Sequence, residues 1–402
     1  MGKEIELSTA ITDIAAGPFG SNLKVECFVP SGFPIIDGAN LKGYKVTDNI
    51  TKFVTEEKAR SLSRSIAHRG DVIVTISGTI GQIAYIPEDS LYDEYLCSQR
   101  QFRVSFDSSM VYVPYLVFYF HTFEGQNKIL SFANQTGVPA LSQPLKNFKK
   151  IRLCLPSLQE QRRIASIVET INDKIENNIK INDNLEQQAQ SYFQELFVDN
   201  ADPEWTTGTI SDLGTVVGGS TPSKAKPEYY TESGIAWITP KDLSINKSKF
   251  VSHGENDITE LGLRNSSASI MPEGTVLFSS RAPIGYIAIA AGEVTTNQGF
   301  KSVVPKPEIG TPFVYFFLKN TLPVIEGMAS GSTFKEVSGS TMKNVPAVIP
   351  DAETLAKFSD FCAPIFAQQR ILEEQNQSLA TLRDNLLPKL MSGEIDVSAV
   401  QL

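Results

Sequence analysis

The stretch GDVIVTISGTIGQIA at residues 70–84 returns as GTVLFSSRAPIGYIA at residues 274–288, with a constant offset of 204. Six positions are identical, and each copy holds two short apolar runs around a turn that contains glycine. Short apolar runs bounded by glycine and proline are typical of β-strands. A repeat this long exceeds any solenoid unit, whose period is a few tens of residues. The chain is therefore predicted to hold two whole domains of one kind.

The repeat extends well beyond this stretch. SGFPIIDGANL at residues 31–41 matches SGIAWITPKDL at residues 233–243, and residues 134–142 match 330–338. A long polar segment with helical periodicity follows each half. Chance similarity is the alternative, but four matched blocks in the same order make it a poor explanation. The predicted order is a first globule at residues 1–155, a helix at 156–200, a second globule at 201–350, and a helix with a C-terminal tail at 351–402.

The two globules are predicted to be α+β, with a mixed α/β character. Each combines short β-rich runs with one amphipathic helical stretch, at residues 114–123 in the first and 312–320 in the second. At 402 residues the chain is long enough for two or three domains, each with its own core.

Both long segments carry a seam whose steps alternate between three and four residues, the spacing of a coiled coil. Because each helix leaves its own globule, the nearest available partner is the other helix of the same chain. An antiparallel intramolecular coiled coil is therefore predicted, with Asn178, Asn182 and Asn376 fixing its register. Packing of each helix on its own globule is the alternative. The apolar and polar seam positions are Ile164, Val168, Ile171, Ile175, Asn182, Leu185 and Leu196 in the first helix, and Ile365, Leu372, Asn376, Leu379, Leu386 and Leu390 in the second.

Composition and missing motifs narrow the class of protein. The net charge is −9, which gives no global attraction for nucleic acid, but each helical segment holds eight acidic and four basic residues, so the globules are nearly neutral. The four cysteines are scattered, as in reduced cytoplasmic proteins, and no apolar run is long enough to span a membrane. Phosphate-binding loops, dinucleotide fingerprints and nucleophile elbows are absent from the sequence. A binding protein without catalytic residues or a metal site is the better interpretation.

Loops rich in Gly, Ser, Thr and Lys lie between the predicted strands. Hydroxyl, amide and backbone donors suit phosphate contacts, and Asn, Gln, Lys and Arg suit base edges. Arg281 is the strongest candidate, since an arginine in a loop flanked by proline and glycine can grip guanine or phosphate. Ordinary loop surface is the alternative for each residue. The candidate DNA contacts are Ser21, Asn22, Lys24, Lys42, Ser77, Thr79, Gln99, Arg100 and Thr136 in the first globule, and Ser220, Thr221, Lys224, Lys241, Arg281, Asn297, Gln298 and Lys335 in the second.

These features together resemble the specificity subunits of type I restriction-modification systems. The resemblance rests on the two repeated blocks quoted above, on GIAWITPKDL at residues 234–243, on LPSLQEQRRI at 155–164 and on LLPKLMSGEI at 386–395. It spans nearly the whole chain. One departure is the start of the second helix, PDAETL at residues 350–355, which lacks the Glu-Gln pair of the first helix.

The resemblance implies two target-recognition domains, each reading one half of a bipartite, asymmetric site on double-stranded DNA, with the helix pair fixing the unread gap. It also implies two adenine methyltransferase subunits docked on the helices, each flipping an adenine out of the duplex, and motor-nuclease subunits that add restriction. No cofactor is then expected in this chain, because S-adenosylmethionine, ATP and Mg²⁺ belong to those partners. The chain itself would be a non-catalytic cytoplasmic subunit that does not contact membranes.

Two other classes of protein remain open. A coiled-coil DNA-binding regulator would pair its helices between chains and would therefore be a dimer by itself. A scaffold that binds only proteins would show no affinity for duplex DNA.

Overall fold

The computed structural model describes residues 2–134, 137–331 and 335–400. The chain divides into two compact units, Met1–Lys174 with Leu379–Leu402, and Ile175–Ser378. Each unit contains one globule of mixed strands and helices, together with parts of both long helices. The predicted α+β fold class, with two repeated globules, is confirmed.

The first unit is built on two four-stranded sheets. Its central sheet is antiparallel, and Val72–Thr75 lies inside it with four buried residues. Three of these are valine or isoleucine, whose branched side chains suit a strand buried on both faces. The central sheet has the order Ile11–Ala16, Gln101–Phe106, Val72–Thr75 and Ile83–Tyr85, and the second sheet has the order Phe53–Val54, Phe33–Ile36, Glu94–Cys97 and Ile66–His68. Lys3–Glu6 pairs with Arg152–Leu155, and Ala133–Asn134 with Ala140–Leu141. The α-helices of this globule are Glu56–Ser61, Val113–His121, Phe123–Leu130 and Pro144–Lys149.

The second unit repeats this plan with a longer central sheet. The order of that sheet is Gly214–Gly218, Lys301–Pro305, Val276–Ser280, Ile284–Ala290 and Phe250–Val251. The second sheet has the order Tyr230–Thr231, Asn256–Ile258, Ile235–Ile238 and Thr295–Thr296, and Thr206–Thr209 pairs with Pro346–Ile349. The α-helices of this globule are Ile210–Leu213, Pro240–Ile245, Glu260–Arg264, Thr311–Met328 and Gly339–Lys343.

The two copies of the repeated stretch pair in the same register. In the first unit Val72 lies opposite Tyr85, and in the second Val276 lies opposite Ile289. Both partners are displaced by the 204 residues that separate the two sequences. The repeat is therefore a repeat of hydrogen-bonded structure as well as of sequence.

A shared glycine closes the turn in each copy. Gly81 and Gly285 have φ values of +89° and +93°, a conformation that only glycine adopts without strain. A Cβ atom would lie 2.6 Å from Gln126 Oε1 at the first position and 2.7 Å from Leu322 Cδ1 at the second. The backbone conformation thus requires glycine at this turn, and a larger residue would also displace these side chains.

The first long helix spans Leu158–Gln194 and ends in a π-helical turn at Glu195–Asp199. The second spans Ala352–Ser392 and continues through Pro364. Every predicted seam residue is buried or half-buried. These residues therefore lie along the covered side of each helix.

Within each unit the two long helices are antiparallel. The core of the first unit joins Ile164 and Val168, near the start of the first helix, to Leu390, near the end of the second. The core of the second unit joins Phe193, near the end of the first helix, to Phe358, near the start of the second. Both cores also contain strand and helix residues of the globule. Within each unit the helices thus pack both on each other, as the coiled-coil prediction has it, and on the globule, as the alternative has it.

The start of each long helix is fixed by a different polar residue. Gln161 is fully buried, and its amide accepts a hydrogen bond from Tyr112 N (2.8 Å) and donates to Met110 O (3.0 Å). The second helix has no such glutamine, and Asp351 instead accepts from Thr354 N and from Trp205 Nε1, both at 2.9 Å. The carboxylate cap explains how the second helix begins without the Glu-Gln pair.

Candidate nucleic-acid interface

Four loops of the first unit meet at one end of its central sheet. We call residues 17–25, 76–82, 98–101 and 137–140 the first loop surface. They meet because the antiparallel strand order brings neighbouring strand ends to a common edge. Backbone hydrogen bonds join them, from Gly17 N to Gln101 O at 2.8 Å, from Ile76 N to Arg100 O at 2.6 Å and from Gly78 N to Pro139 O at 2.9 Å.

Four of the candidate residues line one cleft in this surface. Ser77, Thr79, Gln99 and Arg100 surround a cleft of about 550 Å³. Ser77 is half-buried, whereas the other three are exposed. The cleft therefore gathers hydroxyl, amide and guanidinium groups that are far apart in sequence.

Gln99 holds the neighbouring loop in place. Its Nε2 donates to the backbone carbonyls of Gly20 (2.8 Å) and Leu23 (2.6 Å). Because this nitrogen is used within the protein, the geometry favours a positioning role for Gln99 over a direct base contact. The three exposed candidates on the loop that it holds are Ser21, Asn22 and Lys24.

The same cleft contains an ion pair that sequence reasoning missed. Lys52 Nζ lies 2.6 Å from Asp37 Oδ2. Burial tends to raise the pKa of Asp37, but the hydrogen bonds from Lys52 and from Ala39 N outweigh it and lower the pKa. Lys42 is exposed but does not line the cleft, and Thr136 lies outside the described residues.

The second unit brings the equivalent loops together. We call residues 218–222, 280–285, 296–299 and 335–338 the second loop surface. Three backbone hydrogen bonds join them, from Ser220 N to Thr296 O at 2.8 Å, from Ser280 N to Gly299 O at 2.7 Å and from Val337 N to Ser280 O at 2.9 Å.

Gln298 holds its loop as Gln99 does in the first unit. Its Oε1 accepts a hydrogen bond from Thr221 Oγ1, and the adjacent Ser220 O accepts one from Trp237 Nε1 at 2.9 Å. A glycine occupies the same place in both units. A Cβ on Gly17 would lie 1.9 Å from Ser98 O, next to Gln99, and a Cβ on Gly219 would lie 2.0 Å from Asn297 O, next to Gln298.

Arg281 takes part in a charged cluster on the second loop surface. Its Nη1 lies 3.5 Å from Glu336 Oε2, while Lys301 Nζ lies 3.7 Å from Glu336 Oε1. The side chain of Arg281 is 37% exposed. Lys335, another candidate DNA contact, precedes Glu336 in sequence and is exposed. Lys301 was not a sequence candidate, because it begins a strand of the central sheet and only the fold brings it to Glu336.

The remaining candidates of the second globule have different surroundings. Asn297 Oδ1 accepts a hydrogen bond from Gly299 N at 2.8 Å, so this side chain shapes its own turn. Lys241 pairs with Glu255 at 2.5 Å, and that hydrogen bond raises the pKa of the lysine. Lys224 is exposed on the loop after Pro222.

The two loop surfaces share a scaffold and differ in their side chains. Each offers hydroxyl and amide groups with basic side chains, which suits hydrogen bonding to phosphates and base edges. Within the described ranges, no group of three or more His, Cys, Asp or Glu residues is placed to hold a metal ion. In the same ranges, no helix is both long enough and apolar enough to cross a bilayer.

Comparison with known proteins agrees with this repeated architecture. The family model of the type I restriction modification DNA specificity domain matches twice, at residues 29–187 and 203–382. The chain therefore belongs to this family, with two copies of the domain.

Individual relatives carry matching names. The MjaIX specificity subunit of a type I restriction enzyme from Methanocaldococcus jannaschii is 38% identical over 194 residues, which cover 46% of this chain and 45% of that protein. The HindI specificity subunit from Haemophilus influenzae is 22% identical, covering 78% of this chain and 84% of the relative. The crystal structure of the type I restriction-modification S subunit from M. genitalium shares the fold, with a TM-score of 0.60, 15% identity and coverage of 96% and 95%.

Proposed function

We propose that this chain is the sequence-specific DNA recognition subunit of a type I restriction-modification complex. Each loop surface reads one half of a bipartite site on double-stranded DNA. The observation that carries the proposal is the repeat of one loop scaffold with different side chains. Equivalent scaffolds bind equivalent ends of a ligand, and different side chains read different bases, so the site is asymmetric.

The long helices hold the two reading units and set the gap that is not read. Their sequence segments each have four basic and eight acidic residues, so they face a protein more readily than DNA. Two adenine methyltransferase subunits dock there and flip an adenine from the duplex. Motor-nuclease subunits add restriction. In this proposal S-adenosylmethionine, ATP and Mg²⁺ are bound by those partners, and this chain supplies binding without catalysis.

The pairing of seam residues within one chain supports this proposal over a dimeric regulator. In the second unit, Asn178 Nδ2 donates to Asn376 Oδ1 at 2.8 Å, so the seam of each helix already has an intramolecular partner. A regulator that dimerises through its helices would need these seams free.

The test combines the chain with a candidate adenine methyltransferase subunit and sequences the product DNA for methyladenine. We expect a split, asymmetric motif that disappears when the chain is omitted. Omission of the methyltransferase alone controls for background methylation. Duplex binding without methylation, by a dimer of the chain alone, would favour the regulator. Neither binding nor methylation by folded, associated proteins would favour the scaffold.

A further inference from the structure

The first loop surface exposes apolar side chains, and the second does not. Phe19 and Val25 are each 80% exposed, and Val138 is 74% exposed. They lie on two of the loops that converge beside the cleft. In the described part of the second loop surface, no large apolar side chain is exposed, and the charged cluster of Arg281 and Lys301 lies there instead.

Phe19 is presented by a braced backbone. Its carbonyl accepts a hydrogen bond from Asn22 N at 3.0 Å, and Gln99 binds the carbonyls of Gly20 and Leu23 immediately after it. Gly17 packs so closely on the Ser98 carbonyl that it has no room for a side chain. Because the loop holds the ring exposed to water, covering the ring with an apolar group is favourable.

The surroundings of Phe19 favour DNA as the source of that group. Lys24 and Arg100 are exposed on the same surface, which attracts a polyanion. On the floor of the major groove, the base edges present hydrogen-bonding groups and one apolar group, the 5-methyl of thymine. An exposed phenylalanine beside cations therefore matches an A·T pair read from the major groove.

We propose that Phe19 is a specificity-determining residue that packs its ring on the 5-methyl group of a thymine in the first half-site. The proposal rests on the proposed function of the chain as a DNA recognition subunit. Val25 and Val138 border the same contact and exclude water from it. The second half-site, which faces Arg281 and Lys301, has no equivalent methyl contact from the described loops.

The experiment removes the methyl group and the ring separately. Once the methylated motif is known, each thymine of the first half-site is replaced singly by deoxyuridine, which lacks only the 5-methyl group. Duplex affinity is measured for the complex of the chain with its methyltransferase subunits. The variants are Phe19→Ala and the matched control Phe123→Ala. The Phe123 ring is 84% exposed, and it lies outside the first loop surface, at the start of the helix Phe123–Leu130.

For the unsubstituted chain, one deoxyuridine position is expected to weaken binding about fourfold, the value of one buried methyl group. Phe19→Ala should weaken binding to the thymine duplex by at least that factor and should lose no further affinity at the deoxyuridine position. Phe123→Ala should keep the full affinity and the full effect of deoxyuridine.

Several results would overturn the proposal. Phe19→Ala with unchanged affinity would do so, as would a loss that leaves every deoxyuridine effect intact. In the second case, 2-aminopurine is placed in the first half-site away from the methylated adenine, and a rise in its fluorescence when the chain binds without methyltransferase subunits would indicate insertion between base pairs instead. A first half-site whose only A·T pair is the methylated one would also overturn it. Failure of the unsubstituted complex to bind any duplex would instead remove the proposed function itself.

Discussion

At the scale of residues, some side chains of the loop surfaces hydrogen-bond to a neighbouring loop, and others face outward. Gln99 and Gln298 are matched in sequence, and the side-chain amide of each forms a hydrogen bond with the neighbouring loop. Such a residue positions its neighbours on the loop surface. Arg281 differs because its half-exposed guanidinium pairs with Glu336 on a loop and, among the described residues, holds no neighbouring loop backbone.

Arg281→Ala is expected to weaken binding through the second half-site only. An arginine that grips guanine contributes about 1–3 kcal/mol of discrimination. Affinity should therefore fall for duplexes that carry the second half-site and stay constant when that half is scrambled. Lys306→Ala is the matched control, since Lys306 is exposed just beyond the opposite end of the strand that Lys301 begins. Unchanged affinity of Arg281→Ala for the intact site would remove Arg281 from the interface.

At the scale of elements, buried polar groups determine how the long helices fit together and against the second globule. Asn178 is fully buried and bonds to Asn376, but its own Oδ1 has no hydrogen-bond partner. A buried amide of this kind selects one register because any other register would leave more polar atoms unpaired.

Replacing both asparagines by leucine is expected to stabilise the second unit. Asn178→Leu with Asn376→Leu removes both amides and should raise the free energy of unfolding by about 1 kcal/mol. Asn178→Leu alone leaves the amide of Asn376 without its partner and should lower it. Urea denaturation of the three proteins measures the order. A double variant less stable than the unsubstituted chain would mean that the amide pair is a net source of stability.

Glu186 joins the first long helix to the second globule. Its carboxylate accepts hydrogen bonds from Lys319 and from the buried Lys249. Burial tends to raise the pKa of Glu186, but the two lysines outweigh it, so the pKa lies below its ordinary value of 4.5. A lowered carboxyl pKa stabilises the fold above the unfolded-state pKa, and that contribution is lost as pH falls through the folded-state pKa.

Glu186→Gln is accordingly expected to cost about 3 kcal/mol of unfolding free energy at pH 7, because it leaves Lys249 buried without its counter-charge. The difference between the two proteins should shrink as pH falls through the folded-state pKa of Glu186, which lies below 4.5, because the protonated glutamate also carries no counter-charge for Lys249. Denaturant unfolding at pH 7 and pH 3 provides the comparison. Asp183→Asn, at an exposed position of the same helix, is the control and should change stability little at either pH. A difference for Glu186→Gln that does not depend on pH would contradict this role.

At the scale of the whole molecule, the chain returns to its first unit at the end. Leu387, Leu390 and Val397 join the core of the first unit, although the second unit lies between them and the first globule in sequence. The last turns of the second long helix therefore contribute to the stability of the first unit.

Leu390→Ala is expected to destabilise the first unit by about 3 kcal/mol, the usual effect of a cavity at a buried leucine. Leu390 is 1% exposed, whereas Leu382 on the same helix is 48% exposed and serves as the control. Hydrogen exchange should show lost protection in Val72–Thr75 and retained protection in Val276–Ser280. Equal loss in both strands would mean that the units unfold together.

The sequence by itself determined the features that depend on local chemistry. The matched glycines predict the turns because only glycine adopts their φ angles without strain. The alternation of threes and fours predicts which helical face is covered, and the repeated apolar runs predict the strands. Family membership also follows from the sequence, because its motifs are linear segments. In each case the information lies within a few turns or strands of chain.

The tertiary structure alone decided which distant residues act together. Lys52 and Lys301 reach the loop surfaces only through strand order, and the position of the Phe19 loop beside the cleft likewise depends on the fold. The docking of Leu390 in the first core likewise has no local signal. These contacts span many residues, and their partners are selected by packing and burial of the folded chain rather than by the preferences of neighbouring residues.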